Sequence, residues 1–218
     1  INSLLLAVFI VLSRTIASLY NPKYVDAWVV IVMLSLYAFI EGLRSIFYVV
    51  TIGSSRVDVE GIKSVRELIR SELFIAPLIR IVGMVISYGV GVVLALTLFS
   101  GNYLMQAVGF TLGLFLGALI TLPWFTIKAL NYIKFNIPWR EVLTGIASAI
   151  VITAYILYFK LNEYLITSFW HDIPILIPHA IAVLTIYIIA WYALSPWFRN
   201  LAKTSLKYSL KILHIDLE

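Results

Sequence analysis

Cysteine is absent from this chain of 218 residues, and charged residues are scarce. Without cysteine, the protein has no disulfides, no thiolate metal sites and no cysteine nucleophile. Charged residues make up 12% of the chain and hydrophobic residues 62%, against about 25% and about 45–50% in a typical soluble domain. This composition, with a mean hydropathy of +1.00, excludes a soluble enzyme, a disordered chain and a nucleic-acid-binding module. It is typical of a protein with several membrane-spanning helices.

Catalytic and metal-binding motifs are also missing. The residues His171, His179 and His214 are scattered, and neither an H-E-x-x-H motif nor a second ligand at metal spacing accompanies them. The sequence has no G-x-S-x-G motif of the serine hydrolases. We therefore predict no catalytic residue, no metal site, no cofactor and no enzymatic activity.

Six apolar stretches are long enough to cross a bilayer, which takes about 20 residues of α-helix. Strands of a membrane β-barrel are about ten residues long and alternate strictly, so these continuous stretches exclude that architecture. The sequence thus predicts an all-α membrane protein with six transmembrane helices. The predicted spans are 3–20, 26–53, 73–99, 104–127, 140–159 and 175–194.

Lysine and arginine are concentrated in alternate connections between these spans. The other connections contain only Lys23 and Lys160. Because cationic loops stay in the cytoplasm, we predict that both termini are cytoplasmic and that 21–23, 101–103 and 161–172 are outside. The cations on the predicted cytoplasmic side are Arg56, Lys63, Arg66, Arg70, Lys128, Lys134, Arg140, Arg199, Lys203, Lys207 and Lys211.

The segment after the last span differs from the spans. Ser195 predicts a helix N-cap and Pro196 a first helical residue, and basic residues then recur every four positions from Arg199 onward. We expect a basic amphipathic helix that lies on the anionic cytoplasmic surface, with membrane lipids as its partners. A solvated basic tail is the alternative. The chain is thus divided into a six-helix lobe, 1–194, and a basic cytoplasmic surface helix, 195–218.

Four ionisable residues fall inside the predicted spans. Such a side chain costs about 2.5–3.5 kcal/mol at mid-bilayer on insertion scales, so it needs a partner or a water-filled cavity. Glu41 and Arg44 are three residues apart, share a helical face and can pair. Arg80 lies in the third span, and Arg14 lies near the outer end of the first.

These three arginines and one glutamate leave a surplus of positive charge within the membrane. A guanidinium group binds phosphate or diphosphate oxygens through two parallel hydrogen bonds. We predict that Arg44, Arg80, Glu41 and Arg14 line a basic cavity that holds an anionic substrate. The structural alternative is an internal Glu41–Arg44 pair, with Arg14 and Arg80 extending to the lipid head groups.

The fourth span carries glycines at four-residue spacing, namely Gly109, Gly113 and Gly117. This spacing leaves a smooth strip along one helix face, on which another helix can pack closely. We predict a role in helix packing for these residues, not in ligand binding.

Several segments of the chain together resemble a known family. They are LYNPKYVDAWVVIVMLSLYAFIEGLRSIFYVV, which ends at Val50, the following TIGSSRVD, and SELFIAPLIRIVG, together with the glycine-rich fourth span and the basic tail. The order of these features resembles the C-terminal half of the Wzx-like polysaccharide flippases of the multidrug/oligosaccharidyl-lipid/polysaccharide superfamily. Members of this family typically have two six-helix lobes. The resemblance therefore implies that an N-terminal lobe is missing here or that a partner chain supplies it, and the opening at Ile1 agrees with a fragment or a processed chain.

The resemblance implies a transport function. A lipid-linked oligosaccharide would be flipped across the cell membrane for polysaccharide or glycoprotein assembly, without covalent chemistry. Its sugar–phosphate head group would enter a polar cavity between the lobes while the lipid tail stays in the bilayer, and rocking of the lobes would expose the cavity to each side in turn.

Three alternatives to this function remain open. A cation-coupled multidrug exporter of the same superfamily predicts acidic residues in the cavity. A membrane-embedded enzyme that acts on lipid phosphates predicts aspartate or histidine clustered at a helix end. A non-catalytic scaffold subunit predicts no ligand site at all.

Overall fold

The part of the chain that the structure describes is helical. The computed structural model describes residues 2–53, 64–133 and 138–212, and no β-strand occurs among them. The all-α class is therefore confirmed. In chain order the elements are α1 (Asn2–Val11), α2 (Ser13–Tyr20), a 3₁₀ helix (Pro22–Ala27), α3 (Trp28–Gly53), α4 (Val65–Arg70), α5 (Glu72–Leu96), α6 (Tyr103–Tyr132), α7 (Trp139–Tyr158), α8 (Phe169–Leu194) and α9 (Pro196–Ile212).

Five helical segments among the described residues are long and apolar enough to cross a membrane. They are Pro22–Gly53, Glu72–Leu96, Tyr103–Tyr132, Trp139–Tyr158 and Phe169–Leu194. The chain thus has the helices of a multi-pass membrane protein.

Two of these helices are longer than the apolar pattern predicts. α6 extends to Tyr132, and α8 begins at Phe169, although Pro123 lies inside α6 and Pro174 inside α8. Proline is tolerated inside membrane helices because neighbouring groups satisfy the backbone carbonyls that it leaves free. The prolines therefore do not mark helix ends here.

The first predicted span, 3–20, is divided at Leu12. The two helices have 10 and 8 residues, so neither alone is long enough for a hydrocarbon core of about 30 Å. The backbone hydrogen bonds Leu12 N to Val8 O and Ile16 N to Leu12 O, both 2.8 Å, continue the helical ladder across the division. The count of six spans stays a prediction.

The orientation of the chain in the membrane also stays a prediction. Part of the charge pattern behind it lies outside the described residues. This part comprises Arg56, Lys63 and Lys134, and the side chains of Lys207 and Lys211. His214 lies outside the described residues as well.

The helices pack as two groups. α3, α5 and α6 form the first group, in which α5 and α6 have the most extensive contact. α1, α7 and α8 form the second, around a buried core of Ile152, Ile156, Leu161 and Tyr187. Contacts of α1 and α2 with α3 join the two groups. Many large apolar side chains remain exposed on the outer helix faces, as lipid-facing surfaces require.

Ser195 caps α9 as its sequence position predicts. Its side chain is fully buried and its Oγ accepts a hydrogen bond from Phe198 N at 3.0 Å. The Phe198 ring packs against Trp191 of α8, with ring centroids 6.1 Å apart. Trp197 and Leu201 are exposed one turn apart. α9 therefore exposes apolar side chains on part of its surface.

Small residues set the close approach of α5 and α6. Gly109, Gly113 and Gly117 are buried in α6 and face α5. A Cβ atom at Gly113 would overlap the backbone of Gly91, and one at Gly117 would lie 2.8 Å from Ser87 Cα. This geometry agrees with the packing role predicted from the glycine spacing.

Gly117→Ala is expected to destabilise the protein by about 1–3 kcal/mol, because the new methyl group overpacks the contact with α5. Gly89→Ala is the matched control, since a Cβ atom at Gly89 meets nothing within 4 Å. Thermal unfolding in detergent measures both variants. Equal melting temperatures of the two variants would contradict the prediction.

Candidate functional site

A charged cluster lies where α3 meets α5 and α6. On α3, Arg44 Nη2 forms an ion pair with Glu41 Oε2 at 2.5 Å. On α5, Arg80 Nη2 lies 3.3 Å from Glu41 Oε1. We call Glu41, Arg44 and Arg80 the Glu41 cluster. One carboxylate thus contacts two guanidinium groups, and positive charge is in excess.

The α3 sequence places this cluster on one helix face. Tyr37, Glu41, Arg44 and Tyr48 are four, three and four residues apart, which is the spacing of side chains that share a face. At 1.5 Å per residue, Arg44 lies about 13 Å from the end of α3 at Gly53. The cluster is therefore inside the apolar helices and well away from their ends.

Arg44 is buried and fully engaged. The residue is 3% exposed, and its Nη1 donates a hydrogen bond to Thr121 Oγ1 of α6 at 3.0 Å. Gly83 of α5 makes room for this contact, because a Cβ atom there would lie 2.6 Å from Thr121 Cγ2 and 3.5 Å from Arg44 Nη1. Arg44 therefore connects α3 to α6.

Arg80 is more accessible than Arg44. Its side chain is 34% exposed, compared with 4% for Arg44. Its Cζ lies 5.0 Å from the centroid of the Tyr48 ring, within the range of a cation–π contact. Its Nε is buried and has no hydrogen-bond partner among the described residues. Arg80 therefore keeps donors that the described protein does not use.

Aromatic packing holds Tyr48 beneath Arg80. The Tyr48 ring meets the Phe125 ring of α6 edge-on, with centroids 5.7 Å apart. Phe125 is fully buried, and Trp124 contacts it edge-on at 4.9 Å. The ring beside the Arg80 guanidinium is therefore in contact with the buried core of the first helix group.

A second ion pair joins α5 and α6 nearer to the end of the bundle. Lys128 Nζ lies 3.2 Å from Glu72 Oε1, and its ammonium group lies 5.9 Å from the Trp124 ring. Glu72 is eight residues before Arg80 on α5, a distance of about 12 Å along the helix. This pair adds no net charge, so the surplus belongs to the Glu41 cluster.

Arg14 lies apart from the Glu41 cluster. It is exposed on α2, and its guanidinium group has no ion pair or hydrogen bond among the described residues. The structure thus brings Glu41, Arg44 and Arg80 together and leaves Arg14 out of the predicted site. The reason is that α2 packs against α3 and the connection between α7 and α8, whereas the cluster faces α5 and α6.

Two cavities flank α1 and α2, and both are lined almost entirely by apolar side chains. The first, of about 370 Å³, lies between α1, α2 and α3. The second, of about 380 Å³, lies between α1, α2, α7 and α8 and includes His179. Neither is lined by Glu41 or by an arginine. The predicted basic cavity is therefore not one of these two.

His179 is held by a hydrogen bond and by aromatic rings. Its Nδ1 lies 2.9 Å from Tyr155 Oη, and its ring centroid lies 5.2 Å from that of Phe159. No group of three or more histidine, aspartate or glutamate residues that could hold a metal ion occurs in the described parts of the chain.

The connection between α7 and α8 folds back onto α2. Thr15 Oγ1 donates a hydrogen bond to Leu161 O at 2.6 Å, and Ile166 N donates one to Ser18 Oγ at 2.9 Å, both in buried positions. Leu161 and Ile166 also line the second cavity. The two hydroxyl groups of α2 therefore hold the connection over one end of that cavity.

Asp172 fixes the start of α8. Its Oδ2 accepts hydrogen bonds from Thr167 N at 2.7 Å and Ser168 N at 2.9 Å, and its Oδ1 lies 2.9 Å from His171 Nδ1. Tyr164 Oη donates a further hydrogen bond to Oδ1 at 3.1 Å. Burial and this hydrogen bond raise the pKa of Tyr164 above its usual value. Asp172 thus has a structural role in capping.

Ser18→Ala is expected to destabilise the protein by about 1–2 kcal/mol, because the buried N–H group of Ile166 loses its acceptor. Amide hydrogen exchange at Ile166 should become faster. Ser100→Ala is the matched control, since the Ser100 hydroxyl is exposed and donates only to Thr97 O within its own turn. Unchanged protection of Ile166 in Ser18→Ala would show that the contact does not hold the connection.

Comparisons with known proteins found no family model, no curated protein and no solved structure that matches this chain. The resemblance to polysaccharide flippases therefore stays a prediction from the sequence. The functional argument rests on the geometry and charge of the Glu41 cluster.

Proposed function

We propose that this chain is one lobe of a transporter that flips a lipid-linked oligosaccharide across the cell membrane for polysaccharide or glycoprotein assembly. The observation that supports it most directly is the surplus positive charge of the Glu41 cluster among apolar helices. Charge at this depth is costly and is retained at sites of substrate or ion passage. The phosphate groups of a lipid-linked sugar supply the missing negative charge.

The three residues of the cluster have different roles in this proposal. Arg80 contacts the phosphate, because about a third of its side chain is accessible. Arg44 is a positioning residue that holds Glu41 and joins α3 to α6. Tyr48 supports the Arg80 guanidinium from one side. In this proposal Arg80 contacts the ligand, and Arg44 maintains the geometry of the site.

The topology in this proposal has six spans, with the kinked pair α1 and α2 as the first and both termini in the cytoplasm. A second six-helix lobe supplies the opposite wall of the substrate path. The lipid tail stays in the bilayer, and relative rocking of the lobes moves the head group between the two sides. The basic surface helix α9 lies against anionic lipids of the cytoplasmic leaflet.

A non-catalytic scaffold subunit is the second candidate function. Two observations favour it, namely the complete burial of Arg44 and the apolar lining of both cavities. A cation-coupled drug exporter fits less well, because Glu41 is shared by two arginines and Glu72 is paired with Lys128. Neither carboxylate is left to bind a cationic drug.

In proteoliposomes that contain this chain together with the second lobe, Arg80→Ala is expected to slow flipping of a fluorescent, short-chain polyprenyl-diphosphate sugar by about 10- to 100-fold, because a charge-assisted contact to phosphate is lost. Arg80→Lys should recover only part of the rate, since an ammonium group cannot form the two parallel hydrogen bonds. Quenching of the fluorophore from outside the vesicles measures the flipped fraction.

Arg14→Ala is the matched control for this experiment. It removes a guanidinium group that the structure leaves outside the Glu41 cluster, so the rate should equal that of the wild type. With both lobes present, a wild-type rate no faster than that of protein-free vesicles would favour the scaffold function. Equal rates for the wild type and Arg80→Ala would exclude Arg80 as the phosphate contact.

A further inference from the structure

The two contacts of Glu41 are unequal. Its Oε2 lies 2.5 Å from Arg44 Nη2, whereas its Oε1 lies 3.3 Å from Arg80 Nη2. Of these two contacts, the one with Arg80 has the geometry of a hydrogen bond, which Arg80 Nη2 donates to Oε1, whereas Arg44 and Oε2 form a shorter ion pair. Arg44 also has Thr121 as a partner. Glu41 therefore pairs with Arg44 of its own helix through one oxygen and with Arg80 of α5 through the other.

Most N–H donors of Arg80 have no hydrogen-bond acceptor among the described residues. A guanidinium group has five N–H donors, and among the described residues Arg80 has one side-chain oxygen contact, the long one to Glu41. The Tyr48 ring lies 5.0 Å from its Cζ. About a third of the side chain is open. An anion that arrives from the open side finds a preoriented donor group.

We propose that Glu41 competes with the anionic ligand for Arg80. The Glu41 carboxylate binds Arg80 until a phosphate or diphosphate group takes the place of the carboxylate. This inference rests on the proposed function and adds how the site binds and releases its anion. On binding, Arg80 exchanges Glu41 Oε1 for phosphate oxygens, while Arg44 keeps Glu41 Oε2 and Thr121. Because the carboxylate and the phosphate are both negative, they repel each other, and the exchange lowers anion affinity enough for release.

The ligand chemistry has two sources, a lipid head group or a free anion. Both present phosphate oxygens, and a guanidinium group binds either in a bidentate fork. Inorganic diphosphate and vesicles that contain a polyprenyl diphosphate are therefore both used as probes. Tighter binding of the vesicles assigns the site to the lipid head group. Equal affinities for the two probes assign the site to free anions. The competition by Glu41 is tested in the same way with either probe.

The test is the affinity of the detergent-purified full chain for inorganic diphosphate, measured by titration calorimetry. Glu41→Gln should bind about tenfold more tightly than the wild type, because like-charge repulsion at the site is removed. Arg80→Ala should lose measurable binding, and the double variant should be as weak as Arg80→Ala. Glu72→Gln is the matched control, since it neutralises the carboxylate paired with Lys128 and should leave the affinity unchanged.

Glu41→Gln leaves Arg44 buried without a carboxylate, which can prevent folding. Glu41→Asp keeps the charge beside Arg44 but shortens the side chain, so it cannot reach both guanidinium groups. It should also bind diphosphate more tightly than the wild type. If Arg80→Ala loses binding while Glu41→Asp and any folded Glu41→Gln bind no better than the wild type, the competitor role is overturned and the proposed anion site stands. If Arg80→Ala binds as the wild type does, the proposed site itself fails.

Discussion

The sharing of one carboxylate between two guanidinium groups is the constraint on which the first helix group depends. Arg44 lies among apolar helices and is 3% exposed, where an unpaired charge would cost several kcal/mol. Glu41 compensates it from the preceding turn, and Thr121 satisfies its other nitrogen. Three helices are thereby joined at one point, because α3 supplies the pair, α6 the hydroxyl group and α5 the second arginine.

This point of contact exists only because α5 and α6 approach closely. Gly117 of α6 meets Ser87 of α5, and one turn away Gly83 of α5 leaves space beside Thr121. A larger side chain at either glycine would separate the helices or displace the threonine that Arg44 contacts. The glycine strip and the charged cluster, which look independent in the sequence, are therefore parts of one arrangement.

Much of the fold could be predicted from the sequence, because apolar length and helical spacing are local properties. The five long helices and the Glu41–Arg44 pair follow from such properties. Two features do not. No proline or glycine marks the division at Leu12, and nothing local distinguishes Arg80, which joins the cluster, from Arg14, which does not. Which face of a helix meets a neighbour is decided by tertiary packing, so the partners of Arg80 were out of reach.

Arg80 is the residue that separates a transporter from a scaffold. The Glu41–Arg44 pair and the Thr121 hydroxyl group already join α3 to α6 and balance their own charge. A scaffold needs nothing more there. Arg80 adds a second cation, which costs free energy among apolar helices, and its Cζ lies 5.0 Å from the centroid of the Tyr48 ring. This surplus charge is the observation behind the proposed anionic ligand.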